Sequence, residues 1–175
     1  TNLLGANARR GTDASADLTV FTAVGGATLA SSTGAAYEGT RSLRCTTGAT
    51  ASDGFYVNIA ASASTSYVLS VYLKSAGGAN PTPTVRLQCW DDVGGLVNTK
   101  NAVLTTSDWT RIEAQFTTAG GATAVRMYVD TPTATAVDFY ADALQIEQKN
   151  YTTSWVGGGA GATEVRAAGA LAYSL

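Results

Sequence analysis

The chain of 175 residues contains no histidine. Imidazole is the side chain that most often acts as a general base, a proton shuttle or a zinc ligand near neutral pH. Its absence excludes Ser-His-Asp and Cys-His triads, HExxH sites and most zinc enzymes. Glycosidase chemistry needs two carboxylates at a defined separation, and no pair stands out among the thirteen acidic residues. We therefore expect a protein that is not an enzyme.

Charge is also scarce, at 14% of the residues. Eleven basic and thirteen acidic residues give a net charge of -2, and the basic ones are scattered along the chain. Nucleic-acid binding needs a basic patch or stripe, so we expect no nucleic-acid partner. No stretch reaches the roughly 18 apolar residues of a membrane span, so we expect no membrane partner either.

What the sequence does contain is apolar alternation with a period of two. In residues 67–74 the odd-numbered positions are Tyr, Leu, Val and Leu, which indicates a half-buried strand. Residues 84–91, 110–117 and 125–129 alternate in the same way. Shorter candidate strands are Leu18–Thr22, Arg41–Thr46, Gly54–Ile59 and Val137–Ile146. Eight to ten strands joined by glycine-rich turns predict an all-β, antiparallel β-sandwich or jelly roll.

The two cysteines, Cys45 and Cys89, are too few to define a disulfide framework. Both fall on the inward phase of their predicted strands. This position favours buried thiols, with a cross-strand disulfide as the alternative.

Several segments, taken in order, carry a family resemblance. They are NLL at 2–4, EGTRSL at 38–43, YVLSVYLK at 67–74, WTRIEAQFT at 109–117 and FYADALQIE at 139–147. Together they resemble the jelly roll of carbohydrate-binding modules of the family 4, 9 and 22 type, a galactose-binding-like fold. The resemblance implies such a module at residues 1–147, followed by a C-terminal arm or linker at 148–175.

The end of the chain resembles a different group of proteins. QIEQKNYTTSW at 145–155 and TEVR at 163–166 are similar to the ending that follows such jelly rolls in bacteriophage tail and other virion proteins. The resemblance implies a non-enzymatic virion protein, as a capsid decoration or tail component. Its implied partners are capsid or tail subunits, further copies of itself, and a cell-surface polysaccharide during host attachment. The alternative is a module of an extracellular, secreted or cell-surface polysaccharide-binding protein.

Sugars offer an apolar face and a polar edge, so their sites combine aromatic rings with amides or charges. The outward-facing set on the predicted strands is Tyr56, Asn58, Tyr72, Arg86, Gln88, Trp90, Gln115 and Tyr128. We predict that Trp90 is the main sugar contact, and that Tyr72, Arg86, Gln88 and Tyr128 line a groove with it. The alternative is that these aromatic side chains pack under loops or against a partner chain. By contrast, Trp109 matches the family's structural tryptophan, so we expect it in the core.

No cofactor is required by this chemistry, but the resemblance implies one structural calcium ion. The family holds it with a carboxylate of the closing strand, which Asp142 matches. Asp142 is predicted to share a face with Tyr140, Leu144 and Ile146, where a buried carboxylate needs a cation or hydrogen bonds. The family's Phe-Glu pair near the N-terminus is replaced by Ala8-Arg9-Arg10. The alternative is an aspartate capped by backbone N–H groups or paired with an arginine.

Overall fold

A computed structural model describes residues 2–4, 17–151 and 153 of the chain. The described residues form ten strands and no helix, which confirms the predicted all-β class. The strands are β1 (Thr22–Val24), β2 (Thr28–Ser32), β3 (Ser42–Thr46), β4 (Gly54–Ala60), β5 (Ser66–Ser75), β6 (Thr84–Asp91), β7 (Gly95–Val103), β8 (Thr110–Thr117), β9 (Ala124–Asp130) and β10 (Asp138–Glu147). A membrane-crossing helix is not found in this part of the chain.

The strands make two antiparallel sheets of five strands each. We call the sheet with the order β1-β4-β9-β6-β7 the front sheet, and the sheet with the order β2-β3-β10-β5-β8 the back sheet. Buried apolar side chains from both sheets form one core cluster. The predicted antiparallel sandwich is confirmed.

Aromatic contacts join the two sheets through this core. Phe55 of β4 stacks on Phe139 of β10 with ring centroids 6.4 Å apart, and both rings are fully buried. Cys45 and Cys89 are free thiols in the core, which confirms the prediction. Burial raises the pKa of each thiol to about 12, so neither is reactive at neutral pH.

Two strands were not predicted, and a third is shifted. The first strand begins at Thr22 rather than Leu18. Strands β2 and β7 lack a clear apolar alternation, because both are edge strands in which most side chains are only partly covered. The edge strand β8 differs, because it buries Ile112, Ala114 and Phe116 in the core and therefore keeps a period of two.

A bulge in β10 changes which residues share a face. Asp142 pairs with Tyr72, but the next pair is Gln145 with Ser70, so β10 has one residue more than β5. Ala143 in the bulge has a φ of 50°. The extra residue reverses the phase, and Leu144 joins the core while Asp142 faces outward. The prediction that Asp142 shares a face with Leu144 and Ile146 is therefore wrong.

The predicted boundary at residue 147 coincides with the end of β10. Glu147 forms an isolated bridge with Asn2, which ties the N-terminal segment to the last strand. Beyond it, the Thr153 hydroxyl donates to the Glu147 carboxylate at 2.6 Å. The rest of the predicted arm, residue 152 and residues 154–175, lies outside the described residues, and the division at 147 stays a prediction.

Candidate functional site

The outer face of the front sheet is built by the even-numbered residues of β4, β9 and β6. Their odd-numbered neighbours, such as Phe55, Met127 and Leu87, lie in the core. The strand register places Tyr56 opposite Tyr128, and Tyr128 opposite Gln88. The next row contains Asn58, Arg126 and Trp90. Period-two alternation in three adjacent strands thus produces one continuous outer surface.

Three aromatic rings cross this surface. The Tyr56 and Tyr128 ring centroids are 4.9 Å apart with the planes at 42°, and Trp90 lies 5.5 Å from Tyr128 at 52°. The Arg126 guanidinium lies over the Tyr56 ring, 5.4 Å from its centroid. We call Tyr56, Trp90, Arg126 and Tyr128 the front platform.

A chain of hydrogen bonds holds the Trp90 indole in place. The Trp90 Nε1–H donates to the Gln88 side-chain oxygen at 2.9 Å. The Gln88 amide nitrogen donates to Asp130. Arg86 donates to both oxygens of the same carboxylate, at 2.8 and 3.1 Å. Each bond restricts the next side chain, so the orientation of Trp90 is linked to Asp130.

Asp130 is the buried end of this chain, with 1% of its surface exposed. Burial raises the pKa of Asp130, while Arg86 and Gln88 act in the opposite direction. A buried carboxylate is costly unless its oxygens are paired, and here both oxygens accept charged or amide donors. Arg86 and Gln88 therefore orient other side chains of the protein. Their predicted contact with a sugar stays a prediction.

The turn between β6 and β7 fixes the end of the strand that carries Trp90. Asp91 accepts hydrogen bonds from the backbone N–H groups of Val93 and Gly94, and from that of Ala119 in the β8–β9 loop. Gly95 has a φ of 71°, a conformation that favours glycine. A Cβ atom at Gly95 would lie 3.5 Å from the Trp90 ring.

The structure brings together Trp90, Arg86, Gln88 and Tyr128, but not Tyr72. Tyr72 lies in β5 of the back sheet and stacks on Tyr37. The prediction of a single groove that includes Tyr72 is therefore wrong. Alternation shows whether a side chain points toward the core, but it does not show which sheet carries the strand.

Trp109 is not in the core, contrary to expectation. It is only partly buried and meets Tyr37 edge-on, with the ring centroids 6.0 Å apart. The position has the same outward phase as Arg111 in the adjoining strand β8.

Asp142 is fully buried and held by backbone N–H groups. One carboxylate oxygen accepts from Tyr37 and Glu38, at 2.8 and 3.1 Å, and the other from Ala143 at 2.7 Å. These groups are donors to a carboxylate, whereas calcium needs oxygen ligands, so the donor set does not fit a cation. No group of three or more acidic or cysteine side chains suited to a metal occurs among the described residues. The arrangement corresponds to the alternative of a capped aspartate, and calcium stays a prediction.

Two residues of the site were missed at the level of sequence. Arg126 and Asp130 alternate with the core residues Val125, Met127 and Val129. The same period-two rule that selected Tyr128 would have placed both of them on the outer face.

The fold is that of a β-sandwich module, and comparisons with known proteins agree. Residues 11–135 match the model of the carbohydrate binding domain family CBM_4_9. Because this match covers most of the chain, the protein belongs to that carbohydrate-binding module family. No curated protein gives a significant match.

Solved structures share the fold. The CBM22-2 xylan-binding domain of Paenibacillus barcinonensis Xyn10C is 20% identical, with a TM-score of 0.66 over 80% of this chain and 98% of that one. The C-terminal family 22 module of Clostridium thermocellum Xyn10B is 23% identical, with a TM-score of 0.62 over 80% and 92%. The CBM22-1 and GH10 modules of the same xylanase, complexed with xylohexaose, give 23% identity and a TM-score of 0.63 over 81% and 28%.

Proposed function

We propose that the protein binds single polysaccharide chains of the xylan type through the front platform, without catalysing a reaction. The observation that carries the proposal is the run of three aromatic rings across adjacent strands of the sheet. Three strands span about 10 Å at the usual inter-strand spacing. Several sugar rings of one chain can therefore contact the platform at once.

The tilt between the rings favours one form of ligand. Neighbouring planes differ by 42° and 52°. A flat crystalline surface needs coplanar rings to make contact everywhere, whereas an isolated chain can rotate each sugar to meet a tilted ring. We therefore expect soluble or amorphous polysaccharide as the ligand rather than a crystalline one.

Polar groups beside the rings supply the second half of sugar recognition. Asn58 and Arg126 are both exposed and lie next to each other in the row that contains Trp90. An amide and a guanidinium donate hydrogen bonds to hydroxyl and ring oxygens, while the rings cover the apolar sugar faces. The choice of xylan draws support from similar structures described as xylan-binding.

Affinity electrophoresis in gels containing soluble xylan tests the proposal. We expect the wild-type protein to be retarded and Trp90→Ala to be retarded less, because the affinity of the front platform itself should fall at least about tenfold, which corresponds to ~1.4 kcal/mol. Loss of an indole removes both its contact area and its ring geometry. The matched control is Tyr151→Ala, which removes an aromatic ring that is 60% exposed and follows β10, outside the strands that carry the platform.

Unchanged retardation of Trp90→Ala would show that the front platform is not the binding site. Absence of retardation by xylan, mannan, soluble β-glucan and cellulose derivatives alike would contradict polysaccharide binding itself. Thermal unfolding of each variant separates loss of a contact from loss of the fold.

The virion role predicted from the chain ending remains a sequence-based prediction. None of the matched structures named above is a virion protein, and the second half of the pattern, at 163–166, lies outside the described residues. The family favours the alternative, an extracellular or cell-surface polysaccharide-binding protein. A virion protein could display the front platform and bind polysaccharide through it in the same way.

A further inference from the structure

A second group of aromatic side chains lies on the opposite side of the sandwich. Tyr72 points outward from β5, Tyr37 lies in the loop before β3, and Trp109 stands immediately before β8. The Tyr37 and Tyr72 rings stack with centroids 3.7 Å apart and planes at 19°, and Trp109 meets Tyr37 at 6.0 Å and 72°. We call these three residues the back cluster.

The back cluster is held rigidly. The loop that carries Tyr37 is fixed by the buried Asp142, which accepts hydrogen bonds from the backbone N–H groups of Tyr37 and Glu38. A hydrogen bond with the Tyr72 side chain, together with burial, raises the pKa of Tyr37 to about 12. The Tyr37 hydroxyl therefore keeps its proton across the physiological range.

Arg111 supports the cluster from the neighbouring strand. Its guanidinium lies 5.9 Å from the centroid of the Tyr72 ring. The same group donates to the Thr153 carbonyl oxygen at 2.6 Å and to the Ser70 hydroxyl at 3.1 Å. These bonds fix the position of the Arg111 guanidinium, so the Tyr72 ring packs beside an ordered cation.

The cluster is open to solvent. Tyr37 is 38% exposed, and Tyr72 and Trp109 are partly exposed. Glu38, next to Tyr37 in the loop, and Lys74, on the same outward phase of β5 as Tyr72, are both partly exposed. Preorganised rings flanked by hydrogen-bonding groups match both the apolar face and the polar edge of a sugar.

We propose that the back cluster is a second saccharide-binding site, so that one molecule holds two polysaccharide chains, one on each face. The proposal rests on the proposed function for the class of ligand, but on different residues and on the other sheet. A module with one site decorates a polysaccharide, whereas a module with two opposed sites cross-links it. Binding at two sites also raises the avidity for a dense polysaccharide.

Calorimetric titration of the whole chain with xylohexaose and with cellohexaose tests the proposal. Four proteins are compared: the wild type, Trp90→Ala, Tyr37→Ala, and the double variant. We expect two molecules of oligosaccharide per wild-type chain, one for each single variant, and none for the double variant. Tyr37→Phe, which keeps the ring stack and removes only the hydroxyl, guards against an unfolded Tyr37→Ala, and we expect its back site to weaken severalfold.

The outcomes separate the two proposals. One molecule per wild-type chain, abolished by Trp90→Ala and unaffected by either substitution of Tyr37, overturns the second site and leaves the front platform standing. One molecule abolished by Tyr37→Ala in a folded protein, and unaffected by Trp90→Ala, overturns the front platform and supports the back cluster. No binding by the wild type to either oligosaccharide overturns both.

Cross-linking gives an independent measurement. Soluble xylan mixed with the wild-type protein should become turbid at a protein-to-polysaccharide ratio near equivalence, and clear again when protein is in excess. Neither single variant should produce turbidity. Turbidity that persists in Tyr37→Ala would show that association between protein copies, and not a second site, joins the chains.

Discussion

Each face of the sandwich is organised by one buried aspartate, and the two do so differently. Asp130 in β9 and Asp142 in β10 are 1% and 0% exposed. Asp130 accepts from the side chains of Arg86 and Gln88, and through Gln88 fixes Trp90. Asp142 accepts hydrogen bonds from the backbone N–H groups of Tyr37, Glu38 and Ala143, and fixes the loop that carries Tyr37.

Because Asp130 accepts from side chains and Asp142 from backbone N–H groups, the two faces should respond differently to substitution. Donors on side chains depend on residue type, so the front face can be altered by substituting Arg86 or Gln88. Donors on the backbone depend only on the path of the loop. We therefore expect the path of the loop before β3 to survive substitution of the Glu38 side chain, but not a change in the length of the loop.

The largest expected effect is on the stability of the core that both sheets share. Phe139→Ala removes a fully buried ring that stacks on Phe55 of the other sheet. We expect the free energy of unfolding to fall by about 3–5 kcal/mol, through lost burial and the cavity left behind. Urea unfolding followed by circular dichroism measures it. Val103→Ala, at a side chain 61% exposed, should change stability by less than about 0.5 kcal/mol.

The next effect is confined to the front face. Asp130→Ala leaves Arg86 and Gln88 without their acceptor, and we expect a loss of about 2–3 kcal/mol, below that of fully buried pairs because the Arg86 side chain is 23% exposed. Xylan binding should weaken as well, since Trp90 loses its support. The double variant Asp130→Leu with Arg86→Met removes both charges and should regain part of the stability. Equal stability of wild type and Asp130→Ala would contradict the role of this carboxylate.

A smaller effect is expected on the back face. Asp142→Asn keeps one acceptor oxygen but places an NH2 group, which cannot accept, opposite backbone N–H donors. We expect the free energy of unfolding to fall by about 1–3 kcal/mol. Binding by the front platform should be unchanged, and any binding by the back cluster should weaken. A concurrent loss of front-face binding would show that the two faces are not independent.

The same variant tests the calcium prediction. If Asp142 holds calcium, EDTA lowers the Tm of the wild type and leaves that of Asp142→Asn unchanged. If the backbone N–H groups alone hold the carboxylate, EDTA changes neither Tm.

The smallest effect is at an exposed turn. Asp92 accepts hydrogen bonds from the Thr123 side chain and from the backbone of Thr123 and Ala124, which lower its pKa from 3.8 to about 2. Its contribution to stability is complete above pH 3.8 and is lost as the pH falls to about 2, because the unfolded chain takes up the proton first. The urea midpoint should fall more steeply over this interval in the wild type than in Asp92→Asn. Parallel curves would rule out a contribution from Asp92.

Alternation was enough to predict those strands that bury one complete face, such as β5, β6 and β8. It also assigned Trp90, Arg86 and Tyr128 to a common outward phase. It could not reveal β7, where Leu96 and Val97 are both exposed at the sheet edge. Position along an edge is a property of the assembled sheet, and a single strand carries no sign of it.

Two errors in the site have the same kind of cause. Tyr72 was grouped with Trp90 because local patterns do not show which strands become neighbours. The phase of Asp142 was wrong because one extra residue at Ala143 reverses the pattern in β10. The sequence predicts which side chains of a regular strand point outward. Which of them lie together depends on the order of the strands in each sheet and on the bulge in β10.

The hydrogen bond from Trp90 to Gln88 determines when the indole loses its rotamer freedom, on folding or on ligand binding. An indole free to rotate would lose roughly 0.5–1.5 kcal/mol of rotamer freedom when a ligand arrives. Here Gln88 and Asp130 already restrict the ring, so this freedom disappears when the chain folds. If the front platform binds polysaccharide as proposed, we expect association to proceed with little rearrangement of Trp90.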